Sequence, residues 1–474
     1  MSFARSTLRL FGVRVGSVVI GFLALVVFAR EIGVAALGSY FLFQALLIGL
    51  SLVTDIGLRS AVEKRLSEGQ SADEVLGTGV ALKAVFLSGG LLAVVALRDP
   101  IAAFVGADLA GLLVVAAVFR DAGRLLTFTL RGELRVDAAA TAELARKITF
   151  GVVGIALAVA GYGVYAPVYG VIAGYAAMTV VGGIRVRTRP GRPTIGMARS
   201  LLSFSRYKFI SNAGSVGYSW IDVVVIGLFL SPAAVGAYEV AWKVAAIVVV
   251  FSDSLATTAF PQLSEDAGHG DTERIEVAFT RLVTPSMAFV IPAFFGTLVL
   301  AEDILGVLFG AEYTVASLAL VILLADSLSS GVYQLVARML DALDAPHLDA
   351  RGVVLQIALN VALNLLFVPR YGLVGAAIAT ALAAFAGETL SLFYLSRLVT
   401  VRFEWRLIAW CVVSAAGMAA ILWAVRQAVV VETPLVLLSL VALGVGSYLA
   451  FALSVPSLRQ RAFDRLTAIR TAGA

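Results

Sequence analysis

The chain has 474 residues, of which 60% are hydrophobic and 14% charged, and its 36 Lys and Arg against 31 Asp and Glu leave a formal net charge of +5. A soluble domain carries roughly 25% charged residues; with a mean hydropathy of +0.96, this composition excludes an ordinary water-soluble fold and gives an all-α polytopic membrane protein. The single cysteine, Cys411, excludes an intramolecular disulfide and a thiolate metal cluster.

Arg5, Arg9 and Arg14 lead into the first apolar run, which is long and has no small-residue cleavage site straight after it, so it reads as a retained first span. Apolar runs of ~20 residues match a ~30 Å hydrocarbon layer. They predict fourteen spans near 12–29, 36–57, 77–97, 100–123, 139–161, 164–185, 207–230, 233–259, 279–300, 314–336, 352–368, 373–396, 406–425 and 433–454. The run at 100–123 is the least regular, because Asp108, Arg120 and Asp121 interrupt it. Glycines cluster within the spans, as at Gly151, Gly154, Gly170 and Gly174, which suits close helix packing in lipid.

The connections alternate between longer basic segments and short, nearly uncharged ones. Setting aside Arg30, Arg98, Arg370 and Arg426 on the uncharged side and Lys243 within a span, 31 of the 36 Lys and Arg fall at or near the basic set. The positive-inside rule then places the basic loops and both termini in the cytoplasm, with the chain multi-pass in the cell (plasma) membrane. The densest basic segment holds Arg185, Arg187, Arg189, Arg192 and Arg199. It suits anionic lipid headgroups, and with no aromatic residues interleaved it does not suggest nucleic acid. His269 and His347 fall far apart in polar connections and read as exposed loop histidines rather than zinc ligands. The longest outer connection, 301–313, has thirteen residues, so function must lie within or between helices.

The chain resembles itself. Ala4–Arg5–Ser6 is matched by Ala198–Arg199–Ser200, the Ala36–Leu37–Gly38–Ser39–Tyr40 opening of span 2 by Ala234–Val235–Gly236–Ala237–Tyr238 opening span 8, and Leu66–Ser67–Glu68 by Leu263–Ser264–Glu265. Their offsets are 194, 198 and 197 residues, and Gly161–Tyr162–Gly163 before span 6 recurs as Arg370–Tyr371–Gly372 before span 12 at an offset of 209. Six spans separate the copies, so both enter the membrane in the same sense, as parallel repeats do. This predicts a first lobe over 1–186, a cytoplasmic linker over 187–206, a second lobe over 207–397, and two further spans with a cytoplasmic tail over 398–474.

No Walker-type glycine loop, HExxH or GxSxG motif is present, so no enzyme activity and no cofactor or metal are expected. The acidic pair Asp341/Asp344 reads as a solvated helix end. What remains is ionisable groups in the spans. If the chain turns near Ser231, Asp222 and Glu239 lie at similar depth, ~12–14 Å below one surface, and Lys243 one turn deeper. Such charges cost about 2.5–3.5 kcal/mol each unless they face a partner or water. They form either a structural clasp between two helices or the lining of a transport cavity. Arg14, Lys83, Arg120, Arg124, Arg146 and Lys147 sit in the half of their spans expected to face the cytoplasm. Singly they could snorkel to headgroups; together they would attract an anion such as a pyrophosphate. Asn360 and Asn364, one turn apart in span 11, suit helix–helix hydrogen bonding. Asp326 and Glu388 are further polar residues in spans 10 and 12.

Several short segments carry a family resemblance over the whole length: Gly33–Val34–Ala35–Ala36–Leu37–Gly38–Ser39–Tyr40, Asp55–Ile56–Gly57–Leu58, Val235–Gly236–Ala237–Tyr238 and Tyr371–Gly372–Leu373–Val374–Gly375–Ala376–Ala377. With fourteen spans and no soluble domain, the chain resembles the polysaccharide-biosynthesis flippases, the O-antigen-type transporters of the multidrug/oligosaccharidyl-lipid/polysaccharide exporter superfamily. The resemblance implies two lobes around a charged cavity and outward movement of a polyprenyl-(pyro)phosphate-linked glycan by alternating access. It also implies membrane lipids, and glycosyltransferases or a polymerase of the same pathway, as partners. It transfers no strict signature, so the site expectation rests on placement. Arg14, Lys83, Arg120, Arg124, Asp222, Glu239 and Lys243 are expected to line the cavity, with Asp222 and Glu239 serving ion or proton coupling. A cation-coupled drug or metabolite exporter of the same fold, and a membrane enzyme acting on a polyprenyl-linked substrate, are the alternatives.

Overall fold

The computed structural model describes the backbone of residues 3–454 and the side chains of residues 21–206, 209, 217 and 219–454. Among the described residues every regular element is helical: α1 (Phe3–Asp55), α2 (Leu58–Ser67), α3 (Ala72–Ala96), α4 (Arg98–Val105), α5 (Ala110–Gly132), α6 (Val136–Val159), α7 (Tyr165–Arg185), α8 (Ile195–Phe229), α9 (Pro232–Gly268), α10 (Thr272–Leu308), a 3-10 turn (Ala311–Ala316), α11 (Ser317–Ala342), α12 (Pro346–Leu398), α13 (Trp405–Ala428) and α14 (Pro434–Leu453). Helices satisfy their own backbone groups, which hydrocarbon cannot do for them. Nine described helices are long and apolar enough to cross a membrane, or ten if one bent pair counts as a span.

Thirteen of the fourteen expected spans coincide with a helical stretch, although α1 and α12 carry two apiece. Their halves meet at left-handed glycines, Gly33 (φ 76°) and Gly372 (φ 57°), a conformation that glycine adopts without a Cβ penalty. The span expected at 100–123 is misplaced. Residues 98–105 form the short separate helix α4, the chain bends by 95°, and the long helix is Ala110–Gly132. The bend falls at Gly106 (φ 76°), next to an Arg98–Asp108 ion pair at 2.5 Å. Hydrogen bonding from Arg98 holds the Asp108 carboxyl below its usual pKa. Of the three charges that interrupt the apolar run, only Asp108 marks a break.

Contacts divide the chain into a first unit, Ile20–Glu239, and a second made of Met1–Val19 and Val240–Ala474, with boundaries inside α1 and α9. Within the first unit α1 and α9 approach closely at two glycines. An added Cβ on Gly38 would overlap the Pro232 carbonyl, and one on Gly236 would overlap the Val34 carbonyl. Gly236 and Pro232 lie 198 residues after Gly38 and Val34, the offset at which the two sequence segments match. Gly163 and Gly372, paired at the 209-residue offset, both have positive φ, 55° and 57°.

The segment between α7 and α8 is fastened to the first unit. Arg187 N and Thr188 N donate to Glu133 Oε1 (3.0 and 2.8 Å), and Gly191 N donates to the Asp73 carbonyl (2.6 Å). Thr194 donates to Glu74, accepts from Met197 N at 3.2 Å and thereby caps α8.

The second unit is organised around α10, whose buried face (Phe279, Val283, Met287, Ile291) packs with Leu335 and Met339 of α11, Cys411 and Met418 of α13 and Tyr448 of α14. The two halves of α12 approach at Gly352 and Gly387, where a Cβ on either would lie 2.6 Å from the other's carbonyl oxygen. Glu276 on α10 accepts from Thr400 N at 2.6 Å, a backbone hydrogen bond that lowers its pKa.

Candidate functional site

Two adjoining groups of charged side chains lie inside the first unit. The first is built on Lys83 of α3. Its ammonium meets Asp121 Oδ2 of α5 at 2.8 Å, Asp55 Oδ1 at the end of α1 at 3.3 Å, and the Thr54 carbonyl at 3.2 Å. An ammonium has three protons, and here each has an acceptor. Ser51 and Thr54 hydroxyls donate to the two Asp121 oxygens at 2.9 Å each, and Arg59 of α2 pairs with Asp55 at 2.8 Å. Lys83, Asp55 and Asp121 are all buried, at 5%, 3% and 1% exposure. Lys83, expected as a cavity cation, is thus the centre of a compensated ion cluster that ties α1, α3 and α5 together.

The second group surrounds Tyr175 of α7. Arg120 of α5 donates through Nε to the Tyr175 hydroxyl at 3.3 Å, and the Arg146 guanidinium of α6 lies 5.3 Å from the Tyr175 ring centroid. Arg146 reaches Glu143 Oε1 with two nitrogens, at 2.6 and 3.0 Å. Arg124, one turn beyond Arg120, approaches Glu143 Oε2 at 3.8 Å. Lys147 is exposed. Arg120 was expected near the inner end of span 4; with the helix ending at Gly132 it lies instead near the middle of α5. Arg120, Arg146 and Tyr175 are twelve, ten and ten residues from the same-side ends of their helices, or ~15–18 Å along the axis. At that depth neither arginine reaches a headgroup layer by extending along its own helix, so the cations are held by protein groups.

Asp222 of α8 accepts from the hydroxyl of Tyr238 on α9 at 2.8 Å, and Asp222, Tyr238 and Glu239 are all buried. The sequence grouped Asp222 with Glu239 and Lys243 and did not single out Tyr238 as its donor. Lys243, half-buried one turn beyond Glu239, has its Nζ 5.4 Å from the Trp242 ring centroid. Tyr238→Phe removes the phenol donor and is expected to cost about 1–2 kcal/mol, measured as lowered thermal stability of the purified protein. The side chain of Arg14 lies outside the described residues.

In the second unit, Asn360 donates to Thr380 at 3.1 Å and Asn364 to the Asn360 carbonyl at 3.0 Å. Glu388 accepts from Ser330 at 2.7 Å; Asp349 accepts from Ser391 at 2.8 Å and Tyr333 at 3.3 Å. A cavity of about 680 Å³ between the ends of α9 and α10 is lined by Gln262, Asp266, Asp271, Glu273, Arg274 and Arg281 among others. Among the described residues no group of three or more His, Cys, Asp or Glu is placed to hold a metal ion.

The architecture is that of a known class of polytopic transporters. The lipid II flippase MurJ in an inward closed conformation superposes with a TM-score of 0.78 at 18% identity, over 94% of this chain and 98% of that one. An inward-facing multidrug resistance MATE family transporter of the MOP superfamily superposes at 0.63 with 16% identity, over 80% and 95%. At these identities the likeness is one of fold. Sequence goes further: the family model for polysaccharide biosynthesis proteins matches residues 16–318, and the chain belongs to that family. A Haloferax volcanii protein named "Probable low-salt glycan biosynthesis flippase Agl15" is 38% identical over 466 residues, covering 98% of this chain and 99% of the relative. A second from that organism, "Probable flippase AglR", is 30% identical over 461 residues and 96% of both chains.

Proposed function

We propose that the chain is a flippase that carries a polyprenyl-(pyro)phosphate-linked oligosaccharide from the cytoplasmic to the outer leaflet by alternating access, for cell-surface polysaccharide or glycoprotein biosynthesis. The observation that carries this reading is the end-to-end similarity to a relative named as a glycan biosynthesis flippase. The physical task fits. An unsatisfied polar group costs several kcal/mol in hydrocarbon, so a glycan headgroup crosses only along a polar path. The arginines around Tyr175 place cations deep in the first unit, where an anionic linkage needs them. In this reading the chain transports and does not catalyse. Asp222 and Glu239 serve ion or proton coupling, and Arg14 and Lys243 line the path. Lys83 acts by holding α1, α3 and α5 in register. Residues 1–186 and 207–397 form the two repeats, the termini and basic loops face the cytoplasm, and glycosyltransferases or a polymerase of the pathway are the partners. An exporter of lipophilic cations has only the fold in its favour.

Reconstitution in liposomes with a fluorescent polyprenyl-pyrophosphoryl oligosaccharide tests this. Accelerated exposure of the probe to an external quencher, relative to protein-free liposomes, is the expected result. No acceleration, with transport of a lipophilic cation instead, returns the chain to the exporter class.

A further inference from the structure

Glu143 of α6 stands against Arg124 of α5 and Arg146 of its own helix, and its bonding there is lopsided. Arg146 places both nitrogens on Oε1, while Oε2 is buried and has no hydrogen-bond partner, with Arg124 Nη1 at 3.8 Å. Arg120 is lopsided too. It is 9% exposed, its Nε is bonded to Tyr175, and its Nη1 is buried with no hydrogen-bond partner, 4.0 Å from the Asp121 oxygen that Ser51 already serves. Buried guanidinium and carboxylate atoms without partners are costly, and native structures keep few of them without a use.

The charges leave the same remainder. Arg120, Arg124 and Arg146 carry three positive charges, and Glu143 carries one negative. The neighbouring Asp55 and Asp121 are shared with Lys83 and Arg59. Among these described groups, two positive charges are left over around Tyr175. A doubly esterified diphosphate carries two negative charges and offers several acceptor oxygens to forked guanidinium donors. The side chains of Arg124, Glu143 and Arg146 are each 21–28% accessible, so the group is open on that side. Tyr40 of α1, whose hydroxyl accepts from Gln44 at 2.7 Å, completes the polar surroundings.

We propose that Arg120, Arg124 and Arg146 hold the phosphate linkage of the substrate against the Tyr175 hydroxyl, and that Glu143 is an internal anion occupying that place until the phosphate displaces it. The assignment rests on the flippase reading above. It gives Glu143 a specific role. A carboxylate hydrogen-bonded to Arg146 and ion-paired with Arg124 at 3.8 Å keeps the site from closing on bulk anions, and only a ligand with more charge and more acceptors than one carboxylate takes its place. Glu143 is a positioning and selectivity residue rather than a substrate ligand.

The test is equilibrium binding to the purified full-length protein in neutral detergent, with farnesyl diphosphate as probe, inorganic pyrophosphate as headgroup alone, and phosphatidylglycerol as bulk-lipid competitor. Glu143→Gln keeps the shape and the acceptor oxygen but removes the competing charge. It is expected to tighten farnesyl diphosphate binding roughly tenfold, whereas Arg124→Ala and Arg146→Ala weaken it roughly tenfold or more. Without ligand, Glu143→Gln should melt below wild type, and the probe should restore the difference. Glu143→Gln binding that is unchanged or weaker overturns the proposal, because a merely structural Glu143 gains nothing from losing its charge. Competition by phosphatidylglycerol as strong as by pyrophosphate also overturns it, assigning the arginines to bulk lipid. The two readings fail separately. Tighter binding by Glu143→Gln in a protein that flips no glycan sinks the transport reading alone; normal flipping without the affinity change sinks this one alone.

Discussion

Lys83→Met is expected to be the most damaging single substitution in the first unit. Asp55 and Asp121 are buried at 3% and 1% exposure and share the Lys83 ammonium. Removing one member of a buried ionic set leaves charge without compensation and costs about 3–5 kcal/mol, a large part of a protein's net stability. Asp55 keeps Arg59 at 2.8 Å, so the strain falls on Asp121, left with two hydroxyl donors and the more distant Arg120. The expected outcome is loss of monodisperse protein on size-exclusion chromatography, or a strongly lowered melting temperature. The double variant Lys83→Met/Asp121→Asn, which removes the stranded charge as well, should recover much of the loss. If Lys83→Met melts with wild type, the three groups do not hold the helices together.

Gly236→Val should come second. The Cβ it introduces meets the Val34 carbonyl, and backbone on both sides cannot turn aside as a side chain would. Overpacking typically costs about 1–3 kcal/mol, and a fixed backbone obstacle belongs at the upper end. Gly151→Val is the control, because nothing lies within 4 Å of a Cβ there. Reduced thermal stability for Gly236→Val and near wild-type behaviour for Gly151→Val is the expected pair of melts. Equal melts would mean that α1 and α9 do not approach as closely as described.

Much of the fold was legible because lipid enforces simple rules. Run length located most of the helices, and the 198-residue offset aligned the segments that hold Gly38 and Gly236 without indicating that they touch. The error at 100–123 has a definite origin. Asp108, Arg120 and Asp121 look alike to a hydropathy reading, yet Asp108 ends a turn at the surface while Asp121 is neutralised by Lys83 from another helix. Charge compensation across helices does not appear in one-dimensional order. For that reason Lys83 reads in sequence as a snorkelling or cavity-lining cation, Asp121 as an interruption, and Tyr238 as part of a motif rather than the donor to Asp222. Glu143 escaped notice for a related reason: a carboxylate three residues before an arginine resembles an ordinary surface pair. Only the helix ends show how deep it lies.

The stretch from Arg185 to Thr194, a basic linker by its sequence, has its backbone and Thr194 held by Glu133, Asp73, Glu74 and Thr78. Arg185, Arg187, Arg189 and Arg192 therefore sit on a clamped strap rather than a swinging tether. Their spacing against any anionic lipid surface is set in advance, so little chain entropy is lost when they meet it. Residues 187–194 thus move with the helices that hold them, as part of the first unit and not independently of it.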